Sequence, residues 1–204
     1  MNRALLIVDL QQDFCPGGAL AVPEGDKIVA PINRIAPGFK TVVATRDWHP
    51  AAHISFASAH PGKEIQESLT IEGVEQVLWP DHCVQGSAGA AFHPDFNPAP
   101  LNLILHKGSS PKLDSYSAFF ENDHRTPTGL DGYLKGLEIE ELFVCGLATD
   151  YCVYYSVIDA LALGYRVNLL TDCIRGVDFP EGNVAERLKE MESKGAALIN
   201  SSDL

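Results

Sequence analysis

The stretch Glu141-Leu142-Phe143-Val144-Cys145-Gly146-Leu147-Ala148-Thr149-Asp150-Tyr151-Cys152-Val153 decides the fold. Its first part, residues 141–146, is short and nearly continuous in apolar character. That pattern belongs to a strand buried on both faces of a parallel sheet. The chain then turns through Gly-Leu-Ala-Thr-Asp and enters residues 151–163, which read as a helix; residues 166–171 return to the strand pattern. Strand, helix and strand in succession form a βαβ unit, so the expected class is α/β.

Working outward, the same apolar signature recurs at residues 4–9, 40–45, 101–106 and 196–200. Helical periodicity appears at 26–36, where Pro31 is expected to kink or shorten the helix. It appears again at 180–194, with Pro180 near the start, Val184, Leu188 and Met191 on one face, and Gly195 just past the end. A mainly parallel, roughly six-stranded sheet in one domain spanning residues 1–204 is therefore expected. Two stretches break the alternation, 46–100 and 107–127. Long irregular loops in a compact domain are usually functional, and both start at the carboxyl end of a strand, where open α/β sheets bind ligands.

Composition narrows the functions. The 204 residues carry 27 acidic and 15 basic side chains, a net charge of -12, which disfavours nucleic acid and anionic membranes as partners. The five cysteines are Cys15, Cys83, Cys145, Cys152 and Cys173. Odd in number and without a C-x-x-C pair, they argue for reduced thiols rather than a disulfide framework. The apolar run after Met1 is too short for a signal-peptide core or a membrane span, so a cytoplasmic location is expected. Neither G-x-G-x-x-G nor a P-loop occurs, which removes the signals for dinucleotides and nucleoside triphosphates.

Four places could carry chemistry. Asp9 closes the first strand among apolar neighbours; partial desolvation would suit it to proton transfer, and a turn cap is the plainer alternative. Asp47-Trp48-His49, with His53 after it and Trp79-Pro80-Asp81-His82-Cys83 further on, offers imidazole and carboxylate ligands for a divalent metal, although D-x-H spacing is weak by itself. His53, His60 and His93 read as surface residues or as supports behind a site, with His53 the first candidate for an extra ligand. Lys107 leaves a buried strand and could pair with a carboxylate and lower the pKa of a nearby thiol, or simply be solvated. Thr149 or Asp150 could cap the following helix, which would place Cys152 in its first turn. There the helix dipole favours a thiolate and free N–H groups could hold an oxyanion. Cys145, within the strand, fits simple packing better than Cys152 does.

Taken together, the segments Val8-Asp9-Leu10-Gln11-Gln12-Asp13-Phe14, Ala44-Thr45-Arg46-Asp47-Trp48-His49-Pro50, Trp79-Pro80-Asp81-His82-Cys83, His106-Lys107-Gly108, Asp114-Ser115-Tyr116-Ser117-Ala118-Phe119 and Gly146–Val153 resemble the nicotinamidase/pyrazinamidase family of isochorismatase-like hydrolases. They occur in the family's order and span nearly the whole chain. The resemblance implies a three-layer α/β/α fold and hydrolysis of nicotinamide to nicotinate and ammonia, with pyrazinamide also accepted. It implies a catalytic triad of Asp9, Lys107 and Cys152 and an oxyanion hole from the N–H groups of Ala148 and Cys152. A divalent metal (zinc, or else iron or manganese) on Asp47, His49 and His82 is implied too, as are Phe14, Trp79 and Tyr116 around the substrate ring. A cis peptide between Leu147 and Ala148 belongs to the same pattern, and His53 is a fourth ligand only in some members. The alternatives are a sister hydrolase such as an N-carbamoyl amidohydrolase, which does not call for the D-x-H and W-P-x-H-C segments, and a non-catalytic metal-binding scaffold. Proteins of this kind often associate, so a homo-oligomer is compatible with the reading.

Overall fold

A computed structural model describes residues 2–204. Six parallel strands form one sheet: β1 (Arg3–Val8), β2 (Thr41–Asp47), β5 (Leu103–Lys107), β6 (Glu141–Leu147), β7 (Arg166–Arg175) and β8 (Ala197–Ile199), in the order β5-β2-β1-β6-β7-β8. A separate antiparallel hairpin, β3 (Ser68–Ile71) and β4 (Val74–Val77), lies within the long stretch after β2. Among the described residues four α-helices complete the frame: α1 (Val29–Ile35), α2 (Leu130–Gly136), α3 (Tyr154–Ala162) and α4 (Asn183–Ser193).

The apolar strand runs are explained by alternation across the sheet. Leu5, Ile7, Val42, Ala44, Phe143 and Cys145 point to one face and pack with Val29, Ile32 and Ile35 of α1. Ala4, Leu6, Val8, Val43, Leu142 and Val144 point to the other, against Leu130 and Leu134 of α2, Val157 and Ala160 of α3 and Met191 of α4. Both faces are thus covered, giving the three-layer α/β/α arrangement.

Several local expectations are corrected. Pro31 falls in the first turn of α1, where its missing N–H is harmless, and residues 25–28 before it form a 3₁₀ turn rather than α-helix. Pro180 precedes α4, which starts at Asn183, and follows a cis peptide bond. The hairpin lies within the irregular stretch 46–100, and α2 forms just past the second one. Among the described residues no helix is long and apolar enough to cross a membrane.

The strand order reverses between β1 and β6, which are neighbours although most of the chain separates them. Beyond the carboxyl ends of strands at such a switch point the loops diverge and leave a crevice. Close approach here depends on Gly146: its φ is +118°, and a Cβ on it would collide with the backbone of Val8. Asp9, Asp47, Lys107 and the turn after β6 all lie at this end of the sheet.

Candidate active site

Asp9 is the first residue beyond β1, fully buried, with a left-handed backbone (φ 45°) that a non-glycine residue seldom adopts. Thr45, on the adjoining strand β2, holds it twice: Asp9 N–H donates to Thr45 Oγ1 (3.2 Å), and Thr45 Oγ1 donates to Asp9 Oδ1 (2.6 Å). The other carboxylate oxygen lies 2.8 Å from Lys107 Nζ. Burial raises the Asp9 pKa to about 6; Lys107 opposes that rise and Asp47 adds to it.

Lys107 ends β5 and is fully buried. Its ammonium faces Asp9, Asp47 Oδ1, the Ser115 carbonyl (2.9 Å) and Cys152 Sγ (3.3 Å). Burial alone would depress its pKa, but Asp47 and Asp9 outweigh burial and hold it well above the usual lysine range. The side chain is therefore a fixed cation, anchored by two carboxylates and reaching the thiol.

Strand β6 delivers Cys152. A cis peptide bond joins Leu147 to Ala148, and residues 149–153 make a π-helical turn that runs into α3. No side chain caps this turn, contrary to the expectation for Thr149 or Asp150, because the Asp150 carboxylate is engaged elsewhere, with Val177 and Asp178 N–H (both 2.9 Å). Ala148 precedes the turn and Cys152 lies within it, at a helix N-terminus, where amide N–H groups lack intrahelical partners. The expected drop in the thiol pKa is not found: burial pushes the Cys152 thiol well up, and Lys107 only partly opposes it. Cys152 Sγ lies within 4.8 Å of an Asp9 carboxylate oxygen.

Asp47, His49 and His82 converge beside this group, all buried, with one ligand atom of each within 4.8 Å of the others. His49 Nδ1 donates to the Gly108 carbonyl (2.8 Å) and His82 Nδ1 to the Pro80 carbonyl (2.7 Å). Both rings are thereby oriented with Nε2 toward Asp47 Oδ2, at 3.5 Å and 3.8 Å. Imidazoles fixed through Nδ1 with Nε2 lone pairs converging on a carboxylate fit a divalent transition metal. Burial, with His49 nearby, lowers the His82 pKa to about 4, leaving it a neutral donor.

The glutamine and second aspartate of Asp9-Leu10-Gln11-Gln12-Asp13 build this cluster. Gln11 accepts from Asp47 N–H (2.7 Å) and donates to the Asp47 carbonyl (2.8 Å), while Asp13 accepts from Cys83 N–H (2.7 Å). His53 is buried, not at the surface. Its ring stacks 4.2 Å from that of His49, and its Nδ1 pairs with Ser55 Oγ (2.7 Å). With His49 and Asp114 it makes a second ligand-spaced group, apart from His82. His60 contacts the Ile54 carbonyl and His93 the N–H of Asp95, both far from the cluster in role.

A pocket of about 400 Å³, open mouth included, joins the thiol to the ligand cluster. Phe14, Trp79, Tyr116, Ala148 and Cys152 all line it, together with Asp47, His49 and His82. Trp79 Nε1 donates to Tyr116 Oη (3.0 Å), which sets two aromatic walls relative to each other. The wall also contains Leu20, Asp114, Tyr151 and Val177, none of which the sequence reading assigned. Thr45 and Ser115 were missed as well. Tyr151 had a signal, its place beside Cys152. The others become visible only once the loops are brought together by the sheet.

Comparisons with known proteins agree with this geometry. The isochorismatase domain family matches residues 3–203. The nicotinamidase of Escherichia coli K12 is 51% identical, covering 98% of this chain and 96% of its own. A solved nicotinamidase/pyrazinamidase of Acinetobacter baumanii superposes with a TM-score of 0.96 at 46% identity, over 99% of this chain and 97% of that one. The pyrazinamidase of Pyrococcus horikoshii, solved in complex with zinc, superposes with a TM-score of 0.80 at 37% identity, over 98% and 99% of the two chains.

Proposed function

Starting from a chain that belongs to the isochorismatase family, and within it to the amidohydrolases of the nicotinamidase/pyrazinamidase group, we propose that it hydrolyses nicotinamide to nicotinate and ammonia by a thioester mechanism on Cys152. The observation that carries the reading is that Cys152, backed by buried Asp9 and Lys107, shares one pocket with an Asp-His-His cluster. Sister hydrolases need only the first. The second fits an aromatic amide with a ring nitrogen.

The first step moves the Cys152 proton to Asp9 as sulfur attacks the carboxamide carbon. A carboxylate poised near pH 6 both accepts and returns a proton near neutrality, the condition for general acid–base work. Lys107 stays protonated and stabilises the developing thiolate at 3.3 Å. The N–H groups of Ala148 and Cys152 receive the oxyanion of the tetrahedral intermediate. Its collapse breaks the C–N bond, and Asp9 passes its proton to the departing nitrogen, which leaves as ammonia. Water, deprotonated by Asp9, then cleaves the thioester; nicotinate leaves and the proton returns to sulfur. Asp47, His49 and His82 would hold a divalent metal, zinc being the species in one related structure; when bound it supplies a Lewis-acid anchor for the ring nitrogen. Phe14, Trp79 and Tyr116 enclose the ring and orient the carboxamide over Sγ.

The test is ammonia release from nicotinamide by the purified protein, with Cys152→Ala and a chelator-treated sample alongside. Release that needs both Cys152 and metal is expected. Near-normal turnover by Cys152→Ala would exclude the covalent route. Silence from the metal-replete wild type would exclude nicotinamide and direct attention to other amides.

A further inference from the structure

Residues 176–183 follow β7 and lead into α4, and nothing above gives them a part in the reaction. Residues 176–179 have no regular secondary structure, yet Val177 lines the catalytic pocket, as does Leu20. What holds the segment comes from the turn that carries the thiol. Asp150, 1% exposed, accepts from Val177 N–H and Asp178 N–H at 2.9 Å each and from Asn183 Nδ2 at 3.3 Å. The next residue, Tyr151, donates its hydroxyl to the Phe179 carbonyl (2.8 Å), which also accepts from Asn183 Nδ2 (3.1 Å). Packing at this junction leaves no slack. A Cβ on Gly176 would sit 2.9 Å from Asp150 Oδ1 and collide with Val184 Cγ2.

We propose that Val177 is a specificity-determining residue that limits the size of aromatic ring the pocket admits, with Asp150 the positioning residue that fixes it relative to Cys152. A buried carboxylate accepting several N–H bonds is a stiff tether, because charge-assisted hydrogen bonds are about twice as strong as neutral ones. Asp150 lies two residues before the thiol, so the distance from reacting sulfur to apolar wall is set within one short unit. A substituent on whichever ring edge faces Val177 meets that wall when the carboxamide is held over Sγ. The class of ligand selected is the unsubstituted six-membered heteroaromatic carboxamide, and methyl-sized substituents facing Val177 are excluded. The identity of the ring rests on the nicotinamide reading; the existence of the wall does not.

The test compares kcat/KM for nicotinamide and for a series of methyl-substituted pyridinecarboxamides in wild type, Val177→Ala and Asp150→Asn. In parallel, quenching of tryptophan fluorescence reports binding of the same rings. Val177→Ala is expected to raise the ratio of substituted to unsubstituted substrate by about 10- to 200-fold for the methyl position that faces it, the discrimination one methylene supplies in an apolar pocket. Asp150→Asn presents an NH2 group to N–H donors and is expected to raise the same ratio by a smaller factor, with KM rising more than kcat falls. A merely structural role would lower all substrates alike and leave the ratio unmoved. An unchanged ratio in folded Val177→Ala, by both turnover and binding, overturns the proposal, even if Asp150→Asn fails to fold. Should wild type bind these rings without hydrolysing nicotinamide while Val177→Ala still shifts the binding ratio, the wall stands and the substrate assignment falls.

Discussion

Replacing Lys107 by methionine removes a cation that separates two buried carboxylates while keeping most of the side-chain volume. In the wild type the ammonium lies 2.8 Å from Asp9 Oδ2 and also contacts Asp47, and neither acid is more than 4% exposed. Removing one partner of a buried ion pair costs about 3–5 kcal/mol, since the remaining charge is left without compensation. At about 2–4 °C per kcal/mol for a chain of this size, the melting temperature should fall by roughly 6–20 °C. The pH dependence is the sharper signature. The Asp9 pKa is already raised in the fold, to about 6 with Lys107 opposing the rise, so losing Lys107 drives it higher still. A carboxyl group whose folded pKa exceeds its unfolded value loses stability as pH rises between the two. For the variant that window extends above pH 6, so its deficit should grow by up to about 1.4 kcal/mol per unit there and shrink on acidification. Urea denaturation of both proteins in chelator, from pH 5 to 8, measures this without interference from metal retention. A deficit under about 1 kcal/mol that does not change with pH would refute the idea that Lys107 compensates these carboxylates.

Three further outcomes are expected. His49→Ala should lose bound metal, read by elemental analysis, and raise KM more than it lowers kcat; full metal occupancy in the variant would remove His49 from the ligand set. Gly108→Ala would place a Cβ 2.5 Å from His49 Cε1 at a φ of +59°, so metal affinity should fall about 10- to 100-fold, as on loss of an outer-sphere partner, and a competition titration showing wild-type affinity would count against the role of the Gly108 carbonyl. Activity should fall as pH drops through about 6, where Asp9 becomes protonated. Thr45→Val, which removes the 2.6 Å hydrogen bond to the carboxylate, should move that limb to higher pH, and an unmoved limb would argue that Asp9 is not the base.

Much of the frame is legible in the chain because buried parallel strands must be apolar on both faces; all six strand runs reappear within a few residues of their expected bounds. The site is legible for a different reason. Asp9, Asp47, Lys107 and Cys152 each follow or end a strand run, and strand ends at one edge of a parallel sheet are brought together by topology. What is hidden depends on register and on polar side chains in loops. Thr45 supports Asp9 because β1 and β2 are neighbours, which no local pattern states. Gln11 reads as an ordinary polar residue, yet it grips both backbone groups of Asp47. Asp150 looks like a helix cap, and its acceptors are taken instead by a segment some 27 positions away. Its neighbour Cys152 reads as a thiol eased toward ionisation by the helix terminus, whereas burial prevails.

Because β1 is an inner strand, the order of synthesis matters to this enzyme. Arg3 aligns with Glu141, so the first strand made waits for the sixth before its second edge is filled. At about 5–20 residues per second that interval is on the order of ten seconds on the ribosome. For that time β1 has β2 beside it, with β5 later joining the far edge of β2, but its other edge stays apolar and unpaired, a template for wrong pairing. The same delay keeps base and thiol apart: Asp9 leaves the ribosome early, and Cys152 arrives only with the turn after β6. An unfinished chain therefore carries no assembled site, and the reactive sulfur gains its partners in the event that closes the middle of the sheet.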